Sequence, residues 1–196
     1  MFSLIKAELA RHRELKQLEA DARRRPRPSV PQLVGLDRDT ATWMVPIPGE
    51  RPRFMRATAG MMQHEFFVVM VDGEAFYHAW LLCSPVRNRR GVADCIMRVE
   101  MPNDYKYKYA VAGFAHGIEN PVPLATCGAF REGKRVGIGF TNGVTRTFWL
   151  LSNRAPAFPV EVYGRESAEL LNQVAGIEAA PMFFAELLAC KAGTVL

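Results

Sequence analysis

The chain has 196 residues, of which 49% are hydrophobic and 23% charged, and its formal net charge is +5. This length and composition fit one folded domain, or one domain with an appendage, and exclude a chain that is disordered throughout. No run of 18 or more apolar residues occurs, no signal-peptide pattern opens the chain, and the four cysteines are widely spaced, so we expect a cytoplasmic protein without a zinc site or a disulfide framework.

Positive charge is concentrated in the first 28 residues, which hold eight Lys or Arg against four acids, compared with 17 against 16 in the remainder. Neither Gly nor Pro occurs before Pro26, which predicts one long helix over Phe2 to Arg25. We therefore divide the chain into a basic N-terminal helix or arm, 1–28, and a single domain, 29–196. The helix either packs on its own domain or on a second copy of the chain, or it contacts DNA or the anionic surface of the inner membrane. The predicted DNA contacts here are Arg23, Arg24, Arg25 and Arg27.

The next part of the chain predicts a wrapping segment followed by a buried strand. Residues 28–60 are rich in proline and show little apolar periodicity, so we expect a short strand only at Thr42 to Val45. Phe66 to Val71 is an apolar run of strand length and predicts a central strand. The residues from Glu74 to Cys83 have helical spacing and predict a helix capped by Asp72, with a β-hairpin through Asp72-Gly73 as the competing interpretation.

Two basic stretches follow. Arg87 to Gly91 predicts a loop in which Arg89 and Arg90 contact DNA, the alternative being an ordinary solvated loop. Tyr105 to Tyr109 alternates aromatic and basic residues, a pattern that can stack on bases and grip a phosphate backbone. The same stretch begins a helical repeat over Tyr107 to Ile118, which favours a core helix ending at Gly117.

The second half of the chain alternates strands and helices. We predict strands at 124–130, 136–140 and 158–162, a helix that follows Asn142-Gly143 and stops near Asn153, a helix capped by Ser167 that runs to Ala175, and a last helix over 179–190. The predicted fold class is α+β, with a small mixed sheet, helices and the long N-terminal helix.

The turn at Asn142-Gly143 is the candidate site. A strand that turns sharply into a helix leaves the first backbone N–H groups of the helix unpaired and pointing outward, where they can bind an anion. Arg146 falls in the first turn and could bind the same anion in bidentate fashion, while Thr145 and Thr147 add hydroxyl donors. The alternative is an ordinary connection in which Arg146 is a solvated charge.

Two groups of residues resemble a known superfamily. Gly143-Val144-Thr145-Arg146, together with Phe158-Pro159-Val160, resembles the nucleotide-binding core of the ParB/sulfiredoxin superfamily. Glu119 to Ala125 and Phe140 to Thr147 more closely resemble the Osa-like plasmid fertility inhibition factors of that superfamily. The resemblance covers roughly residues 66–162.

This resemblance implies a protein that blocks conjugative DNA transfer at the coupling protein of a type IV secretion system, and a ParB/sulfiredoxin-type core that hydrolyses ATP and cuts DNA. It implies that nucleotide phosphates bind Asn142, Gly143, Val144, Thr145, Arg146 and Thr147. Arg146 would act as a phosphate clamp, and Glu119 as a water-orienting base or Mg²⁺ ligand.

Several related activities fit less well. Val144 stands where sulfiredoxin has its catalytic cysteine, so sulfinic-acid reduction is not expected, and the chain is short for a ParB segregation protein. The remaining alternatives are a ParB-like nucleotide-switched DNA-binding protein and a non-enzymatic inhibitor that binds the coupling protein.

Overall fold

The computed structural model describes residues 2–60, 66–84 and 94–192. Within these ranges it has a four-stranded sheet and a five-stranded sheet, with helices packed around them. The predicted α+β class is confirmed, but the strands form two sheets rather than one small sheet.

The N-terminal helix, α1, spans Phe2–Ala22, and the predicted long helix is confirmed with an end three residues earlier. It lies against α2, Gly73–Cys83. Leu18 of α1 is buried, Arg11 donates to the Leu81 carbonyl at 2.5 Å, and the Tyr77 hydroxyl donates to the Glu14 carboxylate at 2.5 Å. The predicted arm is therefore in direct contact with the rest of the domain.

Three strands of the four-stranded sheet lie in residues 28–60, where the sequence predicts a wrapping segment with one short strand at Thr42 to Val45. That strand is confirmed as part of a longer one, Thr40–Val45, whereas the prediction that the rest of the segment lacks strands is wrong. β1 (Gln32–Leu36), β2 (Thr40–Val45) and β3 (Arg53–Thr58) form an antiparallel meander. The prolines between β2 and β3 lie in the connection, where they cost no ladder hydrogen bond. In β2 every second residue is buried, a period of two that predicts a strand, whereas the prolines of this segment obscured the strands on either side of it.

The strands of the five-stranded sheet are β4 (Phe66–Asp72), β6 (Ala125–Glu132), β7 (Arg135–Asn142), β8 (Ala157–Tyr163) and β9 (Met182–Phe183). Their order across the sheet is β7-β6-β8-β4-β9. β6 and β8 are parallel, and the other neighbours are antiparallel. Because β4 lies between β8 and β9 and is buried on both faces, the central strand predicted at 66–71 is confirmed.

The start of α2 is also confirmed, because Asp72 Oδ1 accepts from the backbone N–H groups of Glu74 and Ala75. Such a cap typically contributes about 1 kcal/mol. The remaining α-helices of the described residues are α3 (Tyr107–Ala115), α4 (Val144–Ser152), α5 (Arg165–Ala175) and α6 (Phe184–Ala192). No helix in these ranges is both long and apolar enough to cross a bilayer.

Three details of the predicted helices are wrong. Ser167 lies inside α5, where its hydroxyl donates to the Ala129 carbonyl and accepts from the Ala129 N–H, so it ties α5 to β6 instead of capping the helix. The last helix begins at Phe184 because β9 precedes it. In α3 the buried residues are Ala110 and Phe114, whereas Val111, expected in the core, is 47% exposed.

A short segment, Val122–Thr126, passes from one sheet to the other, and we call it the crossing segment. Its first two residues form β5 (Val122–Pro123), which pairs in parallel with β3. Leu124 N–H then donates to the Arg56 carbonyl at 3.0 Å, and Ala125 and Thr126 begin β6 beside β8. The turn at Gly143 lies directly against this segment.

Gly143 has a φ of +95°, and a Cβ placed on it would lie 2.7 Å from the Cα of Ala125. Any larger residue would therefore be strained in its backbone and would collide with the crossing segment. Glycine is the residue that both constraints allow.

We predict that Gly143→Ala lowers the free energy of unfolding by about 2–5 kcal/mol, since left-handed strain and overpacking add. Gly133→Ala is the matched control: Gly133 also has a positive φ, but apart from its own atoms and its two chain neighbours no described atom lies within 4 Å of the place its Cβ would occupy. The Gly133→Ala substitution should lower the free energy of unfolding by only about 1–2 kcal/mol. Urea denaturation of both variants measures the difference, and equal losses would contradict the close contact with Ala125.

Candidate functional site

The candidate site begins at the first turn of α4. Gly143 occupies the N-cap position, and the first helical hydrogen bond runs from Thr147 N–H to the Gly143 carbonyl at 3.0 Å. The amides of Val144, Thr145 and Arg146 therefore precede the hydrogen-bonded part of the helix, as expected for a helix start. The Thr147 side chain is fully buried and donates to the same Gly143 carbonyl at 3.0 Å, so it faces the core rather than a ligand.

Arg146 is held in place by the crossing segment. Its Nη1 donates to the carbonyls of Pro123 at 2.7 Å and Leu124 at 3.0 Å, and its Nη2 contacts Asn142 Oδ1 at 3.4 Å. These contacts occupy three of the five N–H donors of a guanidinium, which leaves at most two for a ligand. The sequence predicts a side chain free to swing beside an anion, whereas the structure fixes it at the rim of a cleft.

This cleft has a volume of about 320 Å³ and lies between α3, residues 120–123 and the start of α4. We call it the α3–α4 cleft. Its size is at the lower end of the range for small-molecule sites. It is lined by Lys106, Tyr109, Ala110, Gly113, Asn120, Pro121, Val122, Pro123, Thr145 and Arg146.

The lining of the α3–α4 cleft is positively charged. It contains two cations, Lys106 and Arg146, and the hydrogen-bonding side chains of Tyr109, Asn120 and Thr145. No carboxylate belongs to this lining within the described part of the chain. Two cations and several donors without a balancing acid favour an anionic ligand.

Of the predicted site residues, the structure brings Thr145 and Arg146 to the cleft and leaves others outside its lining. Asn142 and Glu119 are exposed, and Glu119 ends a 3-10 helix at Gly117–Glu119, immediately before Asn120. Asn120 was not predicted as a ligand, but it does line the cleft. The sequence feature that indicates Asn120 is the proline that follows it, since a proline-fixed segment holds neighbouring side chains in place.

Glu161 is a titratable group near Arg146 that sequence reasoning missed. It is half-buried on β8 opposite Thr126 of the crossing segment. Burial raises the pKa of Glu161, while hydrogen bonds from Tyr163 and Thr126 and the charge of Arg146 partly oppose that rise. Burial also lowers the pKa of Arg146, and Glu161 opposes that change. The available signal was a single charged residue inside an otherwise uncharged strand.

The predicted DNA-binding arginines lie in different surroundings. Arg25 forms an ion pair with Asp72, the residue that caps α2. Arg23, Arg24 and Arg27 are exposed just beyond the end of α1. Arg89 and Arg90 lie outside the described residues.

A second cavity, of about 640 Å³, lies between α1, the end of α2 and the β6–β7 hairpin. Its lining mixes three cations with two acids: Arg11, Lys134 and Arg135 with Asp94 and Glu132. Because these charges nearly balance, it is a weaker candidate for an anion than the α3–α4 cleft. Among residues 2–60, 66–84 and 94–192, no group of three or more His, Cys, Asp or Glu side chains could hold a metal ion.

The chain is similar to a known protein family, to a known protein and to a solved structure. The sequence profile of the plasmid fertility inhibition factors matches residues 68–176. Protein osa of Shigella flexneri is 36% identical over 161 residues, which cover 81% of this chain and 80% of that protein. The crystal structure of Oncogenic Suppression Activity Protein, a plasmid fertility inhibition factor solved as a gold(I) cyanide derivative, matches with a TM-score of 0.85 and 31% identity. That match covers 97% of this chain and 99% of the other.

We predict that Glu161→Gln raises the melting temperature at pH 8 and has little effect near pH 4. Because burial raises the pKa of Glu161 in the folded state, its ionised form disfavours folding above that pKa. Below the unfolded pKa of about 4.3 the carboxyl is protonated in both states, and the difference disappears. Thermal melts across this range measure the effect, with Glu178→Gln, an exposed site, as the control. A melting temperature that falls at pH 8 would contradict this account.

Proposed function

The chain belongs to the plasmid fertility inhibition factor family, and from this membership we propose that it blocks conjugative DNA transfer by hydrolysing phosphate esters and anhydrides at the α3–α4 cleft. The substrates in this proposal are ATP and DNA. The nucleotide-binding role of the Gly143 turn follows the ParB/sulfiredoxin resemblance and is part of the proposal.

One observation carries this proposal: Lys106 and Arg146 lie at the same cleft as Asn120 and Thr145, in front of the start of α4. Phosphoryl transfer is accelerated mainly by positioning and by neutralising charge on the phosphoryl oxygens. A guanidinium fixed by carbonyl contacts is suited to this task, because no further ordering is needed when the phosphate binds. Both proposed substrates, ATP and DNA, present phosphate oxygens to this cleft.

The reaction also needs an oriented water. In hydrolysis the water oxygen attacks phosphorus, the bond from phosphorus to the leaving oxygen breaks, and a base accepts the proton of the water. Glu119 is our proposed base, because it is exposed directly beside Asn120 of the cleft. Glu161 is the competing candidate, since it lies opposite Thr126 of the crossing segment, near Arg146, and burial raises its pKa.

Mg²⁺ bound to a nucleotide takes most of its ligands from phosphate oxygens and water, and typically only one or two carboxylates from the protein. Glu119, which is exposed, would supply one such carboxylate, and the metal would supply additional charge neutralisation at the phosphates.

We further propose that the coupling protein of a type IV secretion system is the partner through which transfer is blocked, at the cytoplasmic face of the inner membrane. The supporting observation is the family membership alone. In the competing non-enzymatic mechanism, binding to the coupling protein would suffice and the cleft would not be required.

We predict that Arg146→Ala and Lys106→Ala each lower ATP turnover and DNA cleavage at least about tenfold, because each removes a charge from the phosphate site. Arg131→Ala is the control, since this exposed arginine lies at the far end of β6. Turnover and cleavage by the purified variants, with and without Mg²⁺, measure the effect.

Lys106→Ala separates catalysis from folding. Arg146 contacts the crossing segment, so its loss could also disturb the fold, whereas Lys106 is exposed. Circular dichroism should show both variants folded. If Lys106→Ala keeps full activity, or if the wild type turns over neither substrate, the cleft is not the hydrolytic site. If a protein that turns over neither substrate still blocks conjugation, the non-enzymatic mechanism holds.

A further inference from the structure

The surface at the start of α3 exposes two aromatic rings. Tyr105 is 76% exposed and Tyr109 is 66% exposed, one helical turn apart in sequence. The helix packs on the core through Ala110 and Phe114, so these tyrosines contribute little to its burial. Two exposed tyrosine rings close together mark a candidate interaction surface, because tyrosine is enriched at interfaces.

Each of these rings has the ammonium group of a lysine close to it. Lys106 Nζ lies 5.2 Å from the ring centroid of Tyr105, and Lys108 Nζ lies 5.2 Å from that of Tyr109. Both lysines are exposed. The surface therefore repeats an aromatic face beside a positive charge, two features that a nucleotide recognises through its base and its phosphate.

This surface is continuous with the α3–α4 cleft. Tyr109 and Lys106 belong to the lining of the cleft, together with Thr145 and Arg146. A chain of nucleotides lying along α3 would therefore place one of its backbone phosphates in the cleft. We call the four residues Tyr105, Lys106, Lys108 and Tyr109 the α3 track.

We propose that the α3 track binds single-stranded DNA, with bases stacked on Tyr105 and Tyr109 and phosphates paired with Lys106 and Lys108. A single strand can present the faces of its bases to the rings, whereas a duplex keeps them stacked inside. This inference rests on the proposed function in one respect, because the strand leads into the same phosphate site.

Direct binding to oligonucleotides tests the α3 track. Fluorescence anisotropy should be measured with labelled oligo(dT) of about 15 nucleotides, which matches the site sizes of single-strand binders, and with a duplex of equal length. Nucleotide is omitted and EDTA is present, so that binding is measured without cleavage. The wild type should prefer the single strand.

Substitutions then separate stacking from charge. Tyr105→Ala and Tyr109→Ala should each weaken single-strand binding at least about fivefold, whereas Tyr105→Phe keeps the ring of a residue outside the cleft lining and should bind as the wild type does. Val111→Ala, which truncates another exposed side chain of α3, should have no effect. Removing both Lys106 and Lys108 should reduce the slope of log affinity against log salt by about 1.4.

The inference is overturned if the alanine variants bind as well as the wild type, or if the duplex binds equally well with the same dependence on the tyrosines. If the tyrosines govern binding but the wild type hydrolyses neither ATP nor DNA, the proposed function fails and the α3 track stands. If hydrolysis depends on Arg146 while the tyrosine variants bind normally, the proposed function stands and the α3 track fails.

Discussion

The contact between Gly143 and the crossing segment is the constraint on which the site depends. Residues 122–126 leave the four-stranded sheet and enter the five-stranded sheet, and the turn before α4 lies so close to them that a Cβ on Gly143 would overlap Ala125. Arg146 then bonds two carbonyls of the same segment. The junction of the two sheets and the start of α4 are therefore fixed relative to each other, and residues 120–123 form one wall of the cleft.

This arrangement gives Arg146 two roles. Two of its hydrogen bonds stabilise the crossing segment, and its charge, together with that of Lys106, makes the cleft attractive to an anion. Burial disfavours the charged form of Arg146, and the nearby Glu161 compensates in part. A guanidinium that is already ordered and partly desolvated interacts more strongly with a phosphate than one that is free in water.

Local signals predicted the elements around the site, but not its geometry. The buried run of β4, the cap at Asp72 and the turn at Gly143 are each set by residues within a few positions, and each was correctly predicted. Of the meander, only β2 was predicted, because the prolines around it outweighed the weaker strand signals of β1 and β3. The bonds of Arg146 join residues 22 and 23 positions apart, and the approach of Glu161 depends on parallel pairing of β6 and β8. Such distant pairings cannot be derived from local periodicity.

The most direct test of the central claim is a crystal structure of this protein with Mg²⁺ and a non-hydrolysable ATP analogue. We expect the phosphates in the α3–α4 cleft, within hydrogen-bonding distance of Arg146, Lys106 and the first amides of α4. A nucleotide bound instead in the larger cavity beside Arg11 and Arg135, with the α3–α4 cleft filled by water alone, would contradict the claim.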